Sequence, residues 1–461
     1  MHQQKIGLLP LYIKLYDDSC PELRTKIDAF LHTLEDEFEK RNISVVKSKA
    51  CRIKEEFEDA VAAFEKADVD AIVTIHLAYS PSLESSDVLA KTKLPVIILD
   101  TTPDFEFDAE QDTSKIDYNH GIHGVQDMCN LLIRNHKPFQ IEAGHWSHSD
   151  VLDRVAKWAK AAHLANVMKN IRVGRIGEPF TGMGDFFLPK QILESMIGIQ
   201  TVEADAKSLV NYYEAVTPQQ IENEMAADKE KFDILTDCDA HRASVQTGLA
   251  VRKWALQNQL SAYTFNFLAI NKASGLPVAP FLEAGKAMAA GIGFAGEGDV
   301  LTAALVGTLL STYPETTFAE MFCPDWKNHS VFISHMGEMN VNLSAERPSL
   351  IDIPFAYTDA DRPVIAVGRY KPGKACLVNL APGPDDRLSL IVVPIEMLDV
   401  TAQDNMKDVV RGWFKPPVEL PEFLQEYSRL GGTHHSALIY GDVGDDIMRF
   451  GKIMGWDVKS I

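Results

Sequence analysis

Through its first 315 residues this chain alternates short, strand-like runs of β-branched and apolar residues with amphipathic, helix-like segments. No other feature limits its fold so strongly. IGLLPLYI (from Ile6), ISVVKSKA (from Ile43), AIVTIHLAY (from Ala71) and PVIILDTT (from Pro95) read as strands. Between the first two lies PELRTKIDAFLHTLEDEFEKR, whose Leu23, Ile27, Phe30, Leu31, Leu34 and Phe38 recur at helical spacing on one face. The acidic run from Glu35 to Glu39 then reads as that helix's solvated face. Strand–helix–strand repetition implies a parallel sheet covered by helices on both sides. Ligands of such sheets sit at the carboxyl ends of the strands. Here those ends carry Tyr12 and Tyr16, His76 with Ser80 and Pro81, and Asp100 with Thr101 and Thr102.

A second series follows. VLDRVAKWAKAAHLANVMKN is amphipathic, IRVGRIG reads as a strand, and QILESMIGIQTVEAD reads as helix then strand. From about residue 316 the pattern changes to short strands with tight turns: HSVFISHMGEMNVNL, PVIAVGRY, ACLVNLAP and RLSLIVVPIEML, separated by KPGK and PGPDD. That pattern suits an antiparallel sheet or barrel. The expected organisation is an N-terminal α/β domain (1–165), a central α/β domain (166–315) and a β-rich C-terminal domain (316–461).

Several functions are excluded at this stage. With 45 Lys and Arg against 65 Asp and Glu, the formal charge is −20. Such a chain repels nucleic-acid backbones and anionic membrane surfaces. No GxGxxG follows the first strand and no GxxxxGK[ST] occurs anywhere, which argues against a dinucleotide or nucleoside triphosphate held by those loops. The six cysteines form no CxxC pair and read as reduced thiols. The N-terminal segment is a poor signal peptide and no run of 18 apolar residues exists, so a cytoplasmic protein is expected.

The most informative segment is GIGFAGEGDVLTAALVGTLLSTY, from Gly291. Asp299 suits the N-cap of a helix beginning VLTAALVGTLL, and Glu297 stands just before it, where the helix dipole favours a carboxylate. A capping residue on an exposed turn explains Glu297 equally well. Glu320 is flanked by Phe318, Met321 and Phe322, a costly setting for a carboxylate unless it is paired or bound to metal; a strand-end surface residue is the plainer reading. His335 ends an apolar strand on the face of Val331 and Ile333, as a satisfied core histidine would. His434 and His435 follow a Gly-Gly turn. If THHSALIYG is a strand, His435 shares a face with Ala437 and Ile439, and His434 points the other way. Two carboxylates and one or two imidazoles form an O/N donor set suited to Mn²⁺, Fe²⁺, Co²⁺ or Zn²⁺.

In order along the chain, GFAGEGDxxTAAL, F-x-E, SHMxE and GGxHH resemble the L-arabinose isomerase family, as do SKIDYNHGIHG and the GHW at Gly144–Trp146. The resemblance covers essentially the whole chain. It implies two tandem doubly wound (flavodoxin-like) α/β domains followed by a barrel-like β domain. It also implies an aldose–ketose isomerase using one Mn²⁺, or Co²⁺, Fe²⁺ or Zn²⁺, bound by Glu297, Glu320, His335 and His435. The two glutamates would double as the acid/base pair. His123, Phe267, Met183 and His434 would face a sugar substrate. A homo-oligomer, trimeric or hexameric, with sites shared between subunits is implied too. Two segments depart from the family: LLPLYIKLYDD replaces a loop that usually holds a glutamine and a GxQxLYG-like motif, and DTTPDFEFD replaces a polar and aromatic loop. A preference for a sugar other than L-arabinose is therefore expected. The rival of another class is a noncatalytic sugar-binding or regulatory protein.

Overall fold

The computed structural model describes residues 3–400 and 403–461. The chain divides into two compact units, Met1–Asn166 and Val167–Ile461.

The first unit holds five parallel strands: β1 (Lys5–Leu11), β2 (Ser44–Lys47), β3 (Ala71–His76), β4 (Val96–Asp100) and β5 (Phe139–Ala143), in the order β2-β1-β3-β4-β5. The chain thus reverses its direction of growth between β1 and β3, which opens a crevice at their carboxyl ends. β3 is buried along its whole length, as a strand covered on both faces must be. The helix Leu23–Lys40 buries all six apolar residues read from its periodicity. Glu35 departs from expectation: it is buried rather than solvated, because His32 (2.8 Å) and Lys47 (3.0 Å) pair with its carboxylate.

The second unit repeats the device. Strands β6 (Arg172–Ile176), β7 (Gln200–Ala204), β8 (Asp233–Ile234), β9 (Ala262–Phe265) and β10 (Gly293–Ala295) follow in sequence. β7-β6-β9-β10 form a parallel sheet whose switch point lies between β6 and β9. β8 pairs elsewhere, with β13 (Ser349–Asp352), which also pairs β14 (Val364–Val367). The C-terminal strands are β11 (Thr316–Asp325), β12 (Ser330–Ser334), β15 (Gly373–Pro382), β16 (Leu388–Met397), β17 (Gly412–Lys415), β18 (His435–Tyr440) and β19 (Asp457–Ser460). Their order is β15-β18-β11-β12-β17-β16-β19, and a ten-pair β15–β16 ladder closes the first six into a barrel, with β19 pairing only β16. Two helices, Leu420–Arg429 and Gly444–Met454, accompany the barrel; the strand-dominated reading of this region did not anticipate them.

The helix Val300–Leu310 joins sheet to barrel. Every residue in it is buried, and it packs against β6, β9 and β10 on one side and β11, β15 and β18 on the other. It is apolar all round because it has no solvent face. Truncating one of its leucines to alanine should cost roughly 2–5 kcal/mol. This shared helix is why the central sheet and the barrel form one compact unit.

A carboxylate and imidazole site at the second switch point

The carboxyl end of β10 runs directly into Gly296, Glu297 and Gly298. Thr264, on β9, pins this turn: its hydroxyl donates to Gly296 O (3.2 Å) and accepts from Gly298 N–H (3.0 Å). Glu297 has a φ of 65°, a left-handed conformation costing a non-glycine residue roughly 1–3 kcal/mol and typical of functional sites. The surroundings enforce it, since the Phe180 N–H donates to Glu297 O (2.9 Å). Gly298 (φ 85°) lies where a Cβ would come within 2.7 Å of Pro179 Cα, so no larger residue fits beside Glu297. Asp299 is the expected N-cap, accepting from Thr302 N–H (2.9 Å).

The barrel supplies the other groups. In the β11–β18 ladder Glu320 stands directly opposite His435, and in the β11–β12 ladder it stands opposite Ser334, next to His335. Directly opposed residues share a face, so the β11–β18 ladder sets Glu320 beside His435, while His335 comes from the segment that follows β12. Glu320 Oε2 is 3.5 Å from His335 Nε2, and Glu297 Oε2 is 3.5 Å from His435 Nε2 and 3.7 Å from His434 Nε2. The potential ligand atoms of Glu297, His434 and His435 lie within 4.8 Å of one another, as do those of Glu320, His335 and His435. His435 belongs to both groups.

Both buried imidazoles have a carboxylate behind them. His435 Nδ1–H donates to Asp299 Oδ2 (2.9 Å), and His335 Nδ1–H donates to Glu338 Oε2 (2.6 Å). Asp299 and Glu338 are themselves almost fully buried. Each ring must therefore present Nε2 to the shared space, the usual support for a metal-binding histidine. His435 Nε2 is buried without a hydrogen-bond partner among the described residues, as a lone pair reserved for a ligand would be. Phe318 sets its ring edge-on against both imidazoles at 4.9 Å, and Phe186 stacks on His435 at 5.1 Å.

The electrostatics call for positive charge. Burial pulls the Glu297 carboxyl up, but the rings of His434 and His435 beside it hold it down at about 2. Glu320 is raised by burial, against the pull of His335 first and then of His435 and His434. Burial pushes His435 down, yet Asp299 and Glu297 outweigh it and lift it to about 10. Four acidic side chains around two imidazoles thus draw protons onto the rings. A divalent cation answers the same field by replacing those protons, so the donor set fits a metal.

Among the remaining sequence candidates, His434 lies just ahead of β18, half-buried and turned toward Glu297. Phe267 follows β9, with Phe180, Phe355 and Tyr357 around it. Met183 lies in a turn closed by its N–H to Phe180 O (3.3 Å), and Phe180 is the residue whose ring meets Phe267 at 5.6 Å. His123 belongs to the first unit, where its ring meets His120 and Tyr79. Sequence reading missed Phe180, Asp185, Phe186 and the supporting role of Glu338. Only Glu338 left a local trace, three residues after His335 in SHMGE.

The comparisons with known proteins agree along the chain. The family model of the L-arabinose isomerase central domain matches residues 191–312, and that of the C-terminal domain matches 315–457. The chain belongs to the L-arabinose isomerase family. It is accordingly a sugar isomerase, an enzyme that interconverts an aldose and a ketose. It is 24% identical over 407 residues to an L-arabinose isomerase of Oceanobacillus iheyensis, covering 85% of this chain and 84% of that one. It is 25% identical over 413 residues to L-arabinose isomerase 1 of Bacillus licheniformis, covering 86% and 82%. An L-arabinose isomerase of Geobacillus kaustophilus is 23% identical over 401 residues, covering 83% and 79%. Among the described residues no helix is long and apolar enough to cross a membrane.

Proposed function

We propose that this isomerase depends on one divalent metal ion, works through a cis-enediol, and prefers an aldose other than L-arabinose. The observation that carries the metal reading is a pair of donor groups that share His435, Glu297 with His434 and His435, and Glu320 with His335 and His435, with His335 and His435 each backed by a buried carboxylate. Glu297, Glu320, His335 and His435 would hold the ion, with Mn²⁺ first among Mn²⁺, Co²⁺, Fe²⁺ and Zn²⁺. When bound, such an ion polarises a carbonyl and stabilises developing negative charge on oxygen.

The chain's own groups do the rest. Isomerisation moves one proton between C1 and C2 and one between their oxygens, with no net gain or loss. Glu297 and Glu320 are the pair for this work: one carboxylate takes the proton from carbon and returns it to the neighbouring carbon, and the other relays the hydroxyl proton. Phe186 and Phe318 give the imidazoles apolar walls that limit water and strengthen each charge interaction. The substrate preference rests on LPLYIKLYDD and DTTPDFEFD, which depart from the family at the carboxyl ends of β1 and β4, where loops shape ligand sites.

The deciding experiment offers the purified chain a panel of aldoses with Mn²⁺ and follows ketose formation. Conversion of at least one aldose, abolished by thorough chelation, is expected. Turnover that survives chelation overturns the metal requirement. L-Arabinose having the highest kcat/KM of the panel overturns the substrate preference. The active species is proposed to be a trimer or hexamer whose sites draw on a neighbouring subunit through His123 and the Tyr12–Tyr16 segment. Mixing inactive His123→Ala and Glu297→Gln chains should then restore part of the activity in hybrid sites; a fully active monomer overturns it.

A further inference from the structure

Asp185 lies in the segment that follows β6, outside the two-glutamate, two-histidine set. Its Oδ2 accepts two hydrogen bonds from one residue: the backbone N–H of His434 (3.0 Å) and the ring Nδ1–H of His434 (2.6 Å). Because one oxygen takes both, the ring's rotation is tied to the backbone that carries it. An ionised carboxylate has no proton to give, so the Nδ1 of His434 must carry one. Nε2 is thereby turned toward Glu297 Oε2, 3.7 Å away, too far for a hydrogen bond between them. An oxygen placed beside the two atoms could reach both.

The same segment holds the other partner. Its Phe180 N–H fixes Glu297 through the backbone carbonyl, and Phe186 packs against both His434 and His435. One stretch of chain therefore sets the position of a carboxylate and an imidazole that face each other across a gap. His435 does not depend on Asp185, since its Nδ1 is held by Asp299.

We infer that Asp185 is a positioning residue for the isomerase reaction: it fixes the ring proton and rotation of His434, so that Nε2 contacts a hydroxyl of the open-chain sugar beside Glu297. This rests on the metal-site reading above and adds to it a residue outside the ligand set. A displaced ring should cost turnover more than binding, since small misplacements at a reacting centre are expensive.

Three measurements test it. The ring ¹⁵N shifts of His434 in the wild-type protein, assigned by their loss in His434→Asn, should show a protonated Nδ1. Asp185→Ala should lower kcat by roughly 10–100-fold, as loss of an orienting partner does elsewhere. KM should move by less than about 3-fold, as expected when the lost interaction acts mainly in the transition state. Bound metal per chain should stay at the wild-type level. Asp185→Asn can place its amide oxygen where Oδ2 stands and accept from both the backbone N–H and the ring Nδ1–H of His434, so it should restore most of kcat, whereas Asp185→Leu should not. A bare Nδ1 in the wild-type protein overturns the inference. So does a wild-type kcat in Asp185→Ala or Asp185→Leu, or a kcat loss that tracks metal loss. A wild-type chain inactive on every aldose refutes the isomerisation chemistry instead, while the ¹⁵N shifts still decide the Asp185 contact.

Discussion

The two parallel sheets of this chain share one strand order, β2-β1-β3-β4 in the first unit and β7-β6-β9-β10 in the second, yet their switch points carry opposite chemistry. At the first, His76 is buried with both ring nitrogens unpartnered among the described residues, and burial pushes its pKa down to about 3. At the second, His435 is equally buried, and Asp299 and Glu297 lift it to about 10 against the same burial. Burial alone makes an imidazole a neutral packing group. Burial with carboxylates makes it a ring that needs a proton or a metal. Topology supplies a crevice twice, and only the crevice that meets the barrel receives Glu320, His335 and His435.

The largest effect that would sharpen this contrast is on turnover. Glu297→Gln and Glu320→Gln keep the size of each side chain but cannot take up a proton, so kcat should fall by roughly 10²–10⁴-fold or more. Steady-state rates on the converted aldose, beside circular dichroism to confirm folding, check this. Wild-type rates in either variant would mean that the second switch point is no more reactive than the first.

The next test separates the adjacent histidines. His435→Ala should weaken metal binding by more than about 100-fold, while His434→Ala, which removes a neighbour of the ligand set, should cost about 10-fold or less. Metal titration of the two variants reads this directly. The reverse order would move the ligand to His434 and dissolve the contrast drawn from His435.

The third concerns the first unit and pH. The folded pKa of His76 lies below its ordinary value of 6.5, so the unfolded chain binds this proton more readily than the folded one. The stability it contributes is present above about pH 6.5 and is lost as pH falls toward 3. The slope is up to about 1.4 kcal/mol per pH unit. Urea unfolding at pH 7, 6, 5 and 4 should show a loss that His76→Leu reduces. An unchanged pH slope in that variant would show that His76 is partnered after all.

The smallest expected effect is at Asp299, which caps a helix through Oδ1 and holds His435 through Oδ2. Asparagine caps helices as well as aspartate does, so Asp299→Asn should change stability by no more than about 0.5 kcal/mol. Its amide cannot match a carboxylate's hold on the ring, so metal affinity should still drop by roughly 10-fold. Chemical unfolding and metal titration of the same variant separate the two roles.

Much of this was legible in the sequence because it is local. Alternating apolar runs placed β1 to β4, β6 and β7, while β5, β9 and β10 were not read as strands. The periodicity from Leu23 to Phe38 placed a buried helix face, and Asp299 announced the helix it caps. The strand reading of THHSALIYG put His435 and His434 on different sides, and β18 begins at His435. The order of the motifs also pointed to the family. Other features were not legible, because they depend on partners far away in the chain. Glu35 looked solvated until Lys47 was seen against it, and the barrel helices were hidden among strand signals. Glu297 and His435 are 138 residues apart in number, and only the closing of the barrel against β10 brings them within 3.5 Å. Asp185, Phe180 and Phe186 carry no spacing that marks them. Their roles arise where a loop from one sheet meets a strand of another layer. Sequence determined which elements form, since periodicity and capping act over a few residues. The tertiary structure decided which side chains face one another, and so which carboxylates set the charge of which imidazole.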